Sequence, residues 1–203
     1  LNAAADTNIR VVNCTTAAQY FHVLRRQALL LKTDPLPLVV MTPKSLLRVA
    51  TTSKGAHRPV STIRDLAEGK FLRVIPDTSE TDPKDVKKIL LCTGKIYYDL
   101  ARMREARNVH DVAIIRLEQL YPINHELTDA LAPYSDGTPV VWVQEEPRNY
   151  GASYYILANL PELLHHRFPV SCVARPPSAS PATGSKASHL LEQRMILDEA
   201  FGA

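Results

Sequence analysis

The stretch Leu90–Leu100, "LLCTGKIYYDL", runs from an apolar strand into a helix through a glycine. Ile89, Leu90 and Leu91 form the end of a continuous apolar run, Thr93-Gly94-Lys95 turns the chain, and Ile96, Tyr97 and Leu100 then recur at helical spacing. A nucleotide-binding P-loop would need a glycine five residues before the Gly-Lys pair and a Ser or Thr after the lysine. Ile89 and Ile96 occupy those positions, so the magnesium-nucleotide reading fails. What survives is a turn suited to an anion without metal chemistry: a glycine for close approach, helix amides pointing outward, and the Lys95 cation. An ordinary strand-to-helix turn with a solvated lysine explains the same residues, and on these residues alone it is the better account.

Working outward, five more stretches have the same apolar character: 9–14 "IRVVNC", 36–41 "LPLVVM", 111–117 "DVAIIRL", 139–144 "PVVWVQ" and 170–174 "VSCVA". Continuous runs mark strands buried on both faces. Helical patterns at 16–31, 95–108, 124–132, 151–166 and 187–200 lie between or after them. Strands alternating with helices predict an α/β fold with a mostly parallel, doubly covered sheet. In the first helix, Thr16 and Gln19 fit a capping box, and Tyr20, Val23, Leu24, Gln27 and Leu31 are expected to face the sheet with Arg25 and Arg26 to the side. Residues 49–60, small and polar, read as a loop between two units. The stretch 175–188, "RPPSASPATGSKAS", reads as an extended crossing before the last helix.

At 203 residues with 45% hydrophobic content, the chain can bury a full core. No apolar run approaches the ~18 residues of a membrane span, and the start lacks a signal-peptide pattern. The first residues read as a helix end feeding a strand, as in a piece of something longer. A formal charge of +3 with no basic block argues against nucleic acid. Cys14, Cys92 and Cys172 are widely separated within or beside apolar runs, which points to reduced core thiols.

Other motifs carry less. "MTPKSLLRV" (41–49) places Lys44, Ser45 and Arg48 after a strand, where α/β sheets bind ligands, though a plain helix start with exposed cations is an equal reading. "QEEPRNYGA" (144–152) pairs Glu145 with Glu146, but consecutive strand residues face opposite ways, so a structural role outweighs acid-base work. The seven histidines form no metal pattern, and His22 reads as a hydrogen-bonded core imidazole. G-x-S-x-G is absent. The residues give anion-binding turns and no catalytic centre.

In order, "TTAAQYFHVLRRQAL", "PLVVMTPKSLLR", "GKIYYDL", "DVAIIRLEQLYP", "QEEPRNYGA" and "RPPSASPATGSK" resemble the carboxyl-terminal part of the thiamine-diphosphate-dependent first component of the 2-oxoglutarate dehydrogenase complex. Cys14 and Ala17 stand where that family commonly has proline, and "LKTDPLP" is lengthened. The resemblance covers nearly the whole chain. It implies that 1–48 are the end of a transketolase-like pyrimidine-binding domain, 49–85 a connecting segment and 86–203 a transketolase C-terminal-like α/β domain. It implies a homodimer that works with dihydrolipoyl succinyltransferase and dihydrolipoyl dehydrogenase, in bacterial cytoplasm or the mitochondrial matrix. Thiamine diphosphate and magnesium would be held mainly by upstream segments. This piece alone is expected to be inactive, serving dimer assembly and the binding of an effector, acetyl-coenzyme A or an adenine nucleotide. By the same resemblance Arg26, Lys44, Arg48, Thr93, Lys95 and Arg175 are the cations and donors for such an effector, with Gln144 and Glu145 as polar contacts. The alternative is a purely structural or oligomerisation domain of a related transketolase-like or pyruvate dehydrogenase enzyme.

Overall fold

In the computed structural model, residues 1–48 and 59–202 are described. The order is β1 (Arg10–Val12), α1 (Ala17–Leu30), β2 (Leu38–Val40), α2 (Ile63–Glu68), β3 (Val74–Ile75), β4 (Lys88–Cys92), α3 (Ile96–Ala106), β5 (Val112–Leu117), β6 (Gln119–Tyr121), α4 (His125–Leu131), β7 (Val140–Pro147), α5 (Ser153–Leu163), β8 (Val170–Arg175) and α6 (Lys186–Phe201). All six strands expected from apolar runs are present. Most of the segment expected as a loop at 49–60 lies outside the described residues.

The main sheet has the order β3-β5-β4-β7-β8, with β5, β4, β7 and β8 parallel and the two-residue β3 antiparallel at the edge. Strand alternation sorts the apolar run of β4 between two cores. Ile89 and Leu91 join Ile115, Trp142 and the α4 and α5 residues Leu127, Leu131, Ile156 and Leu160. Leu90 and Cys92 join Ile114, Val143 and the α3 and α6 residues Ile96, Leu100 and Ile196. Four strands thus carry continuous apolar sequence because both faces are covered by helices. The connection from β4 leads through α3 to β5, whereas β7 leads through α5 to β8 on the other side. The sheet therefore reverses direction between β4 and β7, and their carboxyl ends flank a crevice of the kind α/β proteins use for ligands.

A second sheet, β2-β1-β6, joins the first forty residues to the middle of the chain: β1 pairs with β2 in parallel and with β6 antiparallel. Its core is Val12, Cys14 and Val23, with Leu38, Val40 and Phe71 against them. Neither β3 nor β6 has a periodicity long enough to read, since each has three residues or fewer.

Helix α1 departs from the sequence reading in two ways. Thr16 accepts from the Gln19 amide at 3.2 Å, but the Gln19 side chain does not complete a capping box. It bonds the Lys70 carbonyl and the Leu72 amide instead, because the chain after α2 passes within reach. The buried face is Ala18, Gln19, His22 and Val23, while Tyr20, Leu24 and Leu31 point outward. His22 is a core imidazole as expected, 2% exposed with Nε2 at 2.8 Å from the Asp65 carbonyl.

Candidate functional site

The crevice between β4 and β7 is assembled by local backbone rules. Gly94 has φ of +66°, and a side chain there would collide with Asn13, so the turn out of β4 admits only glycine without strain. It brings Lys95 to the start of α3. On β7, alternation separates Gln144 from Glu145. Gln144 points to the α5 side and is buried: it accepts from the Trp142 indole at 2.9 Å and the Ala152 amide at 3.2 Å, and donates to the Tyr150 carbonyl at 2.8 Å. Gly151, φ +67°, packs against that amide at about 3 Å from an added Cβ, leaving no space for a larger residue.

Glu145 points the other way, and its Oε1 lies 2.5 Å from Lys95 Nζ. Asp99, one turn into α3, is 3.8 Å from the same ammonium and also pairs with Arg102. Gln193 of α6 donates to Asp99 at 2.9 Å and accepts from Arg175 at 3.2 Å. Arg175, 6% exposed at the end of β8, also contacts His189 Nδ1 at 2.8 Å and Glu192 at 3.5 Å. One continuous network thus runs from Glu145 through Lys95, Asp99 and Gln193 to Arg175 and Glu192.

Three cations (Lys95, Arg102, Arg175) face three carboxylates (Asp99, Glu145, Glu192), so the network is self-neutralised rather than an electropositive hollow. Neither reading of Lys95 from sequence included this: the lysine is neither solvated nor awaiting an anion, but partnered. An incoming phosphate competes with Glu145 for it. Glu146, the other member of the pair, has its carboxyl pushed above the usual range by burial. A cavity of about 240 Å³ opens beside Arg175 and Glu192, floored by Ser178, Ser180 and Thr183 of the proline-serine stretch. That is below the ~300 Å³ at which pockets for drug-sized ligands begin.

The remaining residues expected at the site lie elsewhere. Thr93 is at the same turn, but its hydroxyl is committed to the Leu117 carbonyl at 2.7 Å. Arg26 faces the second sheet rather than lying to the side of α1: it bonds Gln119 at 2.7 Å, its guanidinium stacks on Phe71, and burial lowers its pKa to about 10. Lys44 is exposed on the 3-10 turn Lys44–Arg48, and the Arg48 side chain lies outside the described residues. Of the eight, Lys95, Glu145 and Arg175 share one network, with Gln144 and Thr93 in the walls behind it.

Sequence reasoning missed the bridging groups Asp99, His189, Glu192 and Gln193. It also missed Glu118, a fully buried carboxylate whose signal was an acid inside the apolar run "IIRLEQLY". The three thiols are free and buried, and burial pushes each thiol's pKa up, Cys92 to about 12. Among the described residues no three His, Cys, Asp or Glu side chains are placed to hold a metal ion, and no helix is long and apolar enough to cross a membrane.

Comparison with known proteins places this geometry in context. A family model described as 2-oxoglutarate dehydrogenase C-terminal matches residues 60–201. The chain is 45% identical over 202 residues to the 2-oxoglutarate dehydrogenase E1 component of Cupriavidus necator, covering 99% of this chain and 20% of that protein. Identity to the Haemophilus influenzae E1 component is 42%, over 99% of this chain and 21% of that one. A mitochondrial 2-oxoglutarate dehydrogenase-like protein of Rattus norvegicus is 43% identical, over 97% and 19%. The chain therefore spans about a fifth of the length of these relatives. Among solved structures, a split-gene transketolase, an inactive β4 tetramer, matches with a TM-score of 0.56 at 17% identity, covering 97% of this chain and 58% of that one. That likeness shows a transketolase-like fold.

Proposed function

The chain belongs to the 2-oxoglutarate dehydrogenase C-terminal family, and from that premise we propose that it is the carboxyl-terminal part of a 2-oxoglutarate dehydrogenase E1 component whose own task is assembly. On this reading the longer polypeptide decarboxylates 2-oxoglutarate on thiamine diphosphate and passes the succinyl group to the lipoyl arm of dihydrolipoyl succinyltransferase. Dihydrolipoyl dehydrogenase then reoxidises that arm. Residues 1–48 close the pyrimidine-binding domain, 49–85 connect, and 86–203 form the carboxyl-terminal domain. The location is bacterial cytoplasm or the mitochondrial matrix, according to the source.

Cofactor and metal chemistry belongs to the rest of the polypeptide. Thiamine diphosphate supplies the electron sink for decarboxylation when bound, and proximity to it provides most of the acceleration. The isolated piece is inactive on this reading.

The observation that carries the assembly role is the outward face of α1 and the strand beside it. Phe21, Leu24, Leu29 and Leu31 are 44–73% exposed, and Val39 and Met41 are exposed along β2, an edge strand of its sheet among the described residues. Unpaired strand edges flanked by apolar side chains are surfaces that other segments cover. Leu24→Glu and Leu29→Glu in the full-length protein test this. Sedimentation is expected to show loss of the dimer with far-UV circular dichroism unchanged. An intact dimer in both variants would remove this face from assembly.

Effector binding is the second reading. It is favoured by one observation, the convergence of Lys95, Glu145 and Arg175 at the crevice where the sheet changes direction. Acetyl-coenzyme A or an adenine nucleotide would enter there by displacing Glu145 from Lys95.

A further inference from the structure

We propose that the outer edge of the main sheet, β8 with the α6 row beside it, is a self-association face on which two copies of the chain pair antiparallel about a two-fold axis. Among the described residues β8 has β7 on one side and no strand on the other. The amides of Val140 and Arg148 donate to the carbonyls of Pro169 and Arg175, both at 2.9 Å, so the odd-numbered residues of β8 turn their peptide groups toward β7. Val170, Cys172 and Ala174 turn theirs outward. Between Pro169 and Arg175 the sequence is "VSCVA", without the charge or proline that guards an exposed edge.

Helix α6 continues this edge as an apolar row. Its inward residues are Gln193, Ile196 and Ala200, whereas Leu190, Leu191 and Met195 are 59%, 62% and 53% exposed. Met195 and Glu199 line a groove of about 220 Å³ together with Cys172 and Ala174. Leu191, one turn before Met195, extends the same row. The unguarded strand and the exposed side chains thus form one continuous surface, of the kind that a partner covers.

Charge identifies the partner as a second copy. Arg148 stands at the carboxyl end of β8, where its amide meets Arg175. Glu199 stands at the amino end: the next carbonyl, of Ala200, accepts from Lys88 at 3.1 Å, and β4, β7 and β8 are in register there through Ile89, Val140 and Val170. Both side chains are exposed, and neither has an ion-pair partner among the described residues. A partner of uniform charge leaves one of the two unmatched. An antiparallel second copy matches both, because the two-fold axis brings Arg148 to the partner's Glu199 and the reverse. The same axis lays the two α6 rows side by side, Leu191 against the partner's Met195. The edge lies across the main sheet from β3, whereas α1 packs on the second sheet, so this contact is independent of the α1 face. With both faces in use, dimers join into larger assemblies.

Sedimentation of the full-length protein over a range of concentrations tests this. Wild type is expected to form a species about twice the mass of that formed by Leu191→Glu, with far-UV circular dichroism unchanged. Arg148→Glu and Glu199→Arg each set like charges opposite one another at both ends of the contact, and each is expected to weaken association by about ten-fold. The double variant recreates opposite pairs and is expected to recover the association that either single loses. Equal masses for wild type and Leu191→Glu overturn the proposal, as does a double variant no stronger than the singles. Combining Leu191→Glu with Leu24→Glu separates this contact from the one at α1. A dimer that survives Leu24→Glu and is broken by Leu191→Glu strikes the α1 reading and upholds this one.

Discussion

Lys95 and Glu145, fifty residues apart, meet at 2.5 Å where the parallel sheet changes direction, each about a quarter exposed. The ligand crevice of this fold is thus occupied by an internal ion pair. An anion entering there would have to replace a carboxylate already in place.

That arrangement gives opposite outcomes for its two members. In the full-length protein, Lys95→Ala is expected to abolish thermal stabilisation by acetyl-coenzyme A or an adenine nucleotide. Glu145→Gln removes the competitor and is expected to strengthen it. A saturating ligand at about 100 times its Kd raises stability by about 2.7 kcal/mol, well within reach of a thermal-shift measurement. Equal shifts in wild type and both variants would take the effector away from this crevice. Without ligand, loss of a partly exposed pair costs only about 1 kcal/mol or less.

Gly94→Ala is expected to destabilise the protein by about 1–3 kcal/mol, read as a lower midpoint in urea. Alanine must adopt a positive φ at this turn, and its methyl group enters the space of the Asn13 side chain. A midpoint unchanged from wild type would mean that the turn relaxes freely and does not fix the position of Lys95.

Gln144→Glu tests the wall behind the ion pair. The amide donates to the carbonyls of Tyr150, Pro147 and Glu146, and a carboxylate in its place would face three acceptors without a proton to share. A loss of several kcal/mol is expected at neutral pH, since an unpaired buried charge costs more than a missing hydrogen bond. The introduced carboxyl has a raised pKa in the folded state, so it binds a proton more tightly there than when unfolded. Its penalty is therefore expected to shrink as pH falls from 7 toward 5 in denaturant titrations. A penalty independent of pH would show that the network around residue 144 rearranges.

Much of the fold was legible because burial on both faces leaves an unmistakable signature. Leu90 and Leu91 belong to different cores, yet both had to be apolar, and that requirement shows as an unbroken run. The orientation of α1 was not legible. Tyr20, Leu24 and Leu31 have the spacing of a buried stripe, yet of that stripe Val23 is the residue that is fully buried, and beside it and Ala18 the residues that turn inward, Gln19, His22 and half-buried Arg26, are polar. Their burial depends on partners distant in sequence: Lys70 and Leu72 for Gln19, Asp65 for His22, Gln119 for Arg26.

The candidate site was half legible for the same reason. The strand-to-helix turn identified Lys95 from the residues themselves, whereas Glu145 and Arg175 entered the candidate site through the family resemblance. That they neutralise one another through Asp99 and Gln193 depends on α3 and α6 lying side by side, which no local pattern encodes. Glu118 and Thr15, hydrogen-bonded across 103 positions, illustrate the same limit.

Substrate turnover by the full-length protein tests the central assignment most directly. Supplied with thiamine diphosphate, magnesium and the two partner components, it is expected to consume 2-oxoglutarate with release of carbon dioxide, and not pyruvate or sugar phosphates. The chain of residues 1–203 alone is expected to consume none of them. Turnover of pyruvate or a sugar phosphate with 2-oxoglutarate left untouched would contradict the assignment.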